Sequence, residues 1–126
     1  MKGMMKLKPS ATVLVIDDDE RVRTLLRDIL LFAGYQVMEA SDGKSGMGCL
    51  MKGGFDIVLT DLGMPEMNGW EVIKVVKEET PQIPVVLITG WGTHLDEEKI
   101  RESGVDGILG KPFQVHEVIG MVRQFI

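Results

Sequence analysis

The sequence predicts an α/β domain: one five-stranded parallel sheet, doubly wound by a (βα)5 chain. Three observations lead there. Short apolar runs alternate five times with amphipathic stretches. The runs are rich in β-branched residues and too short for buried helices. The 126 residues amount to one domain's length.

The elements follow in order. Residues 13–16, Val-Leu-Val-Ile, read as a buried strand. Val22, Leu25, Leu26, Ile29, Leu30 and Ala33 recur at helical spacing, and Gly34 is the stop. Residues 35–40 read as a second strand. Residues 42–52 form a helix in which Met47, Leu50 and Met51 share a face, although Gly43, Gly46 and Gly48 weaken its propensity. A third strand spans 55–60 and stops at Asp61, and the Gly, Pro and Asn content of 63–69 makes a loop. Val72, Ile73 and Val76 share one face of a helix over 70–79. Residues 85–88 are the fourth strand, 96–103 a short polar helix closed by Gly104, and 107–109 a short fifth strand. Val115, Val118, Ile119, Val122 and Phe125 line the last helix.

Strands read as apolar throughout, alternating with helices, require a parallel sheet covered on both faces. Right-handed crossovers leave few topologies, and the flavodoxin-like order 2-1-3-4-5 is the economical one. The expected division is a mobile tail over residues 1–10 and one domain over 11–126.

Composition narrows the function. Apolar residues make up 44% and charged residues 26%, an ordinary globular balance. A net charge of −5 disfavours direct nucleic-acid binding, which needs many Lys and Arg contacts to phosphate. Cys49 is the single cysteine, so an intrachain disulfide and a multi-cysteine zinc site are both excluded. No apolar run approaches the roughly 20 residues that span a bilayer, and no secretory leader is evident. A cytoplasmic setting without membrane insertion is expected.

In an open parallel sheet, ligands sit beyond the carboxyl ends of the strands, near the point where strand order reverses. Strand 1 ends in Asp17-Asp18-Asp19-Glu20, strand 3 in Asp61 and strand 4 in Thr89-Gly90, while Lys111-Pro112 follows strand 5. Carboxylates crowded there repel, and at least one has its pKa raised unless a cation compensates. Mg2+ takes one or two carboxylates plus waters and a phosphate. Lys111 adds fixed positive charge and Thr89 a hydroxyl donor, completing a site for a tetrahedral anion. An Asp carboxylate can itself accept a phosphoryl group.

At these residues the chain resembles the receiver domains of two-component response regulators. The residues that carry the resemblance are Val-Leu-Val-Ile-Asp17-Asp18, Asp61-Leu-Gly-Met-Pro65, Thr89-Gly90 and Lys111-Pro112-Phe113, in order over nearly the whole chain. It implies a signalling switch rather than an enzyme. Asp61 would accept a phosphoryl group from a histidine kinase or a histidine phosphotransfer protein, and slow hydrolysis would then remove it. Mg2+ would be held by Asp17, Asp18, Asp61 and the backbone carbonyl of Gly63. Thr89 and Lys111 would bind the phosphoryl group, and the Lys111–Pro112 bond would be cis. A downstream protein or output domain would read the change.

One departure stands out: Ile108 occupies a position that is often Tyr or Phe in such proteins. The signal would then pass through Ile108 packing or through shifts around Gly90-Trp91-Gly92. The chain ends after the last helix, as expected for a stand-alone receiver or for a piece of a longer regulator or hybrid kinase. A haloacid-dehalogenase-type phosphatase also uses Asp, Mg2+, Thr or Ser and Lys on a parallel sheet, but Arg21 breaks its motif and little room remains for a cap. A receiver-like binder that works without phosphorylation is the third reading, and the intact acid cluster argues against it. His94 and His116 read as surface residues, Cys49 as a small core side chain, and Met64 and Met67 as contacts for a kinase.

Overall fold

The computed structural model describes residues 10–90 and 94–126. The expected tail, apart from Ser10, and Trp91 and Gly92 of the expected switch loop lie outside the described residues. Five strands alternate with five helices: β1 Thr12–Ile16, α1 Glu20–Phe32, β2 Gln36–Ala40, α2 Gly43–Met51, β3 Ile57–Asp61, α3 Gly69–Glu79, β4 Val85–Thr89, α4 Glu97–Ser103, β5 Gly107–Gly110 and α5 Val115–Phe125. All strand pairings are parallel, and the order is β2-β1-β3-β4-β5.

Side chains alternate across a strand, so each central strand feeds two cores. On one face Leu14, Ile16, Val58 and Leu87 meet Met47 and Leu50 of α2 and Val72, Ile73 and Val76 of α3. On the other, Val13, Val15, Leu59, Val86 and Ile88 meet Leu26, Ile29 and Leu30 of α1 and Val118 and Val122 of α5. Each fully buried Leu, Ile or Val contributes about 1.5–3 kcal/mol of transfer free energy. The short α4 buries none of its residues.

Two expectations need correction. The strands are not apolar throughout: β2 reads Gln-Val-Met-Glu-Ala, with Gln36 and Met38 exposed. Among the described residues it is the sheet's edge, with a paired strand on one side only. Strand ends also shift by one or two residues, β3 beginning at Ile57 and containing Asp61, and β5 reaching Gly110. Local periodicity cannot locate where a ladder stops, because the partner strand decides that. The glycine-rich α2 forms as read. Gly46 lets α2 approach β1 closely, since a Cβ there would force the Ile16 side chain to shift.

Candidate functional site

Register assembles the site. Ile16 pairs with Thr60, which sets Asp17 next to Asp61 one step on. Asp61 pairs with Ile88, and Thr89 pairs with Gly110. The Lys111 N–H donates to the Thr89 carbonyl at 2.8 Å, tying the two residues together past the ladder's end. Four residues distant in sequence therefore share one rim, at the β1/β3 switch point.

The loop after β3 is anchored from both sides. The Leu62 N–H donates to the Ile88 carbonyl at 3.0 Å, and the Gly69 N–H donates to Leu62 at 2.8 Å. Asn68 and Glu71 form a reciprocal capping box that starts α3. Only glycine fits at position 69, because a Cβ would stand 2.5 Å from the Asp61 carbonyl oxygen. Spacing alone marked Gly69 as nothing more than a loop end.

Asp17, Asp18 and Asp61 bring carboxylate oxygens within 4.8 Å of one another. Asp17 is fully buried, Asp61 is 7% exposed and Asp18 is open to solvent. Lys111 Nζ donates to Asp61 Oδ1 at 3.0 Å and stands 3.2 Å from Asp17 Oδ2. That ion pair is the one polar contact of Asp17 Oδ2 among the described residues, while Asp17 Oδ1 accepts the Asp19 N–H at 2.9 Å. Thr89 Oγ1 is likewise buried and unpartnered. A buried hydroxyl without a partner is costly, and beside an incompletely satisfied buried carboxylate it leaves polar capacity that a ligand could take up.

The charges follow from this geometry. Burial pushes the Asp17 carboxyl above its ordinary range. The Asp19 N–H opposes that rise, the Asp61 charge adds to it, and Lys111 offsets part of it. Burial also works against the Lys111 charge, but its hydrogen bond to Asp61 and the attraction of both acids outweigh it and raise the Lys111 pKa. Asp19, not Asp17 or Asp18, caps α1, accepting the Arg21 N–H at 2.9 Å. That frees the first two acids for the rim.

The remaining expected residues divide. Gly63 is exposed, two residues beyond Asp61. Ile108 is half-buried and packs against the core on the α2–α3 side. The Lys111–Pro112 peptide is cis. Met64 is 7% exposed and packs in the core, so it is not available to a partner, whereas Met67 is half-exposed. Cys49 is half-buried at the core's margin, and His94 and His116 are exposed. Arg23, which spacing did not single out, donates to the Asp17 backbone carbonyl at 2.9 Å.

A doubly wound parallel sheet with three acids and a lysine on the rim of its switch point defines an α/β protein with a site suited to a cation and a tetrahedral anion. The chain belongs to the response regulator receiver domain family, whose model matches residues 13–123. It is therefore a phosphoacceptor signalling domain of the two-component type. It is 33% identical over 114 residues to the transcriptional regulatory protein CpxR of Escherichia coli, covering 90% of this chain and 48% of that protein. The DNA-binding transcriptional regulator NtrC of Rhizobium meliloti is 35% identical over 112 residues, 89% of this chain and 23% of that protein. The chain thus spans about half or less of these curated relatives. Among solved structures, chemotaxis protein CheY4 of Vibrio cholerae superposes with a TM-score of 0.87 at 28% identity, covering 94% of this chain and all of that one. The receiver domain of Francisella response regulator 1452 gives 0.83 at 25%, covering 92% and 96%. Among the described residues no helix is long and apolar enough to cross a membrane.

Proposed function

We propose that Asp61 takes its phosphoryl group from a phosphohistidine, on a histidine kinase or a phosphotransfer protein, at a site that holds Mg2+. The observation that carries this reading is the convergence of Asp17, Asp18 and Asp61 oxygens within 4.8 Å around a lysine that bridges two of them.

The donors fit the ion. They are oxygens only, one is a buried carboxylate atom whose one polar contact is the Lys111 ion pair, and Asp18 is exposed on the side from which waters and a phosphate would complete the shell. Asp17, Asp18, Asp61 and the Gly63 carbonyl would hold it. When bound, Mg2+ supplies positive charge that neutralises the acids and the incoming phosphoryl oxygens.

An Asp61 carboxylate oxygen attacks phosphorus in line, and the phosphorus–nitrogen bond breaks with the electron pair leaving on the imidazole. An acyl phosphate forms. Water later attacks that phosphorus, restoring the carboxylate and releasing inorganic phosphate. Lys111 holds a phosphoryl oxygen, exchanging its contact with Asp61 for one with the group that Asp61 acquires. The unpartnered Thr89 hydroxyl donates to another phosphoryl oxygen. Movement of Thr89 draws on β4 and, through the Thr89–Lys111 backbone bond, on β5, where Ile108 repacks. A downstream protein or an output domain, in a stand-alone or longer regulator, reads the altered surface from the cytoplasm.

The test is labelling by acetyl phosphate. Wild type should label in a Mg2+-dependent manner and Asp61→Asn should not; equal labelling of Asp61→Asn would overturn the assignment.

A further inference from the structure

Asp17 and Asp18 sit on a turn between β1 and α1, and Asp18 is exposed. The Asp17 Oδ1–Asp19 N–H bond holds the turn from within, and its backbone is held from outside. Arg23, one turn into α1, donates from Nη1 to the Asp17 carbonyl at 2.9 Å. That carbonyl belongs to the peptide joining Asp17 to Asp18, so holding it sets the plane from which the Asp18 side chain departs. Arg23 is itself held: its Nε lies 3.4 Å from Glu39 Oε1 on β2, and its side chain is only 16% exposed. Glu39 is steadied in turn by Arg27 Nη1 at 3.2 Å from its other oxygen. A planar guanidinium can serve a carbonyl and a carboxylate together, and a lysine cannot do so with the same rigidity.

We infer that Arg23 is a positioning residue for the metal site, a strut from Glu39 on the edge strand to the Asp17–Asp18 peptide. The inference rests on the reading that these acids hold Mg2+. Loss of an outer group that orients ligands commonly weakens metal affinity about 10–100-fold. A bare charge effect has the opposite sign, since deleting a cation beside an acid cluster strengthens cation binding. The direction of the change therefore separates positioning from electrostatics.

The experiment is calorimetric titration of the metal-free chain with Mg2+, alongside thermal melting in chelator. Arg23→Ala should raise the Mg2+ Kd about tenfold, Arg23→Lys should recover part of the loss, and Glu39→Gln should weaken binding in the same direction but less. Lys77→Ala supplies the structural control, because it breaks the Lys77–Asp106 pair (2.6 Å) at the opposite end of the sheet. It should lower the melting temperature and leave the Mg2+ Kd alone. Unchanged or tighter Mg2+ binding in Arg23→Ala overturns the inference, as does equal weakening in Lys77→Ala. Should Arg23→Ala not fold, Arg23→Lys, which keeps the charge, decides: weaker Mg2+ binding than wild type supports the inference and wild-type binding overturns it. A wild type that binds no Mg2+ refutes instead the metal reading on which the inference stands.

Discussion

Replacing Asp17 by Asn should make the metal-free protein more stable while removing its response to Mg2+. Asp17 is fully buried, and burial, reinforced by the Asp61 charge, outweighs Lys111 and the Asp19 N–H. Its ionised form is therefore a net cost to the fold. Asn keeps the shape and the Oδ1 acceptor for the Asp19 N–H, and Lys111, turned from the new amide nitrogen that replaces Asp17 Oδ2, keeps its bond to Asp61. Relief of functional-site strain of this kind is worth about 1 kcal/mol. At about 2 cal/mol/K per residue, a chain of 126 residues then melts about 4 °C higher. With Mg2+ at about ten times its Kd the wild type gains about 1.4 kcal/mol, or about 5 °C, and the order inverts. The pH dependence has a definite sign. The folded carboxyl binds its proton more tightly than the unfolded one, so stability falls as pH rises from the ordinary value of 3.8 through the raised one. The advantage of Asn should therefore vanish in acid. Scanning calorimetry with chelator, with Mg2+ and across pH measures all three effects. An Asp17→Asn chain that melts below wild type in chelator at neutral pH would refute the reasoning.

Three further outcomes follow from the same geometry. Thr89→Ala should still accept phosphoryl at Asp61 but lose one charge-assisted hydrogen bond, about 1.5–3 kcal/mol, which exceeds the 1.4 kcal/mol of a tenfold population shift. Beryllofluoride should then move the Ile108 methyl resonances of wild type and leave them in place in Thr89→Ala; equal shifts in both chains would contradict this. Gly69→Ala sets a Cβ against the Asp61 carbonyl and the Leu62 Cα, and should lower urea stability by about 1–3 kcal/mol, whereas an unchanged midpoint would deny that close contact. The raised pKa of Lys111 contributes stability that is present below its ordinary 10.5 and is lost as pH climbs above it. Lys111→Met should show a shallower alkaline loss by circular dichroism, and an identical curve would remove Lys111 from the account.

The alternation of strand and helix was legible because periodicity is local. Val13–Ile16 needs no partner to look like a strand, nor α1 to look like a helix. The parallel sheet and its order followed from chain-reversal geometry that applies to all such folds. Given that order, the strand-end residues Asp17, Asp18, Asp61, Thr89 and Lys111 had to share a rim, so their convergence was readable. The exposure of β2 was not: the order puts it at the edge, but no pattern within its five residues states that Gln36 and Met38 stay exposed there. Met64 misled for the same reason, since being beside Asp61 in sequence does not say which way its side chain turns.

The chain by itself determined the fold class and the acids, hydroxyl and lysine of the rim, because hydrophobic spacing and strand termination are properties of short segments. Tertiary structure alone decided which acid is buried, that the Thr89 hydroxyl lacks a partner, that Lys111 bridges two carboxylates, and that Arg23 and Glu39 brace the turn from outside. Those are consequences of register, burial and side-chain direction, which exist only once distant segments lie side by side.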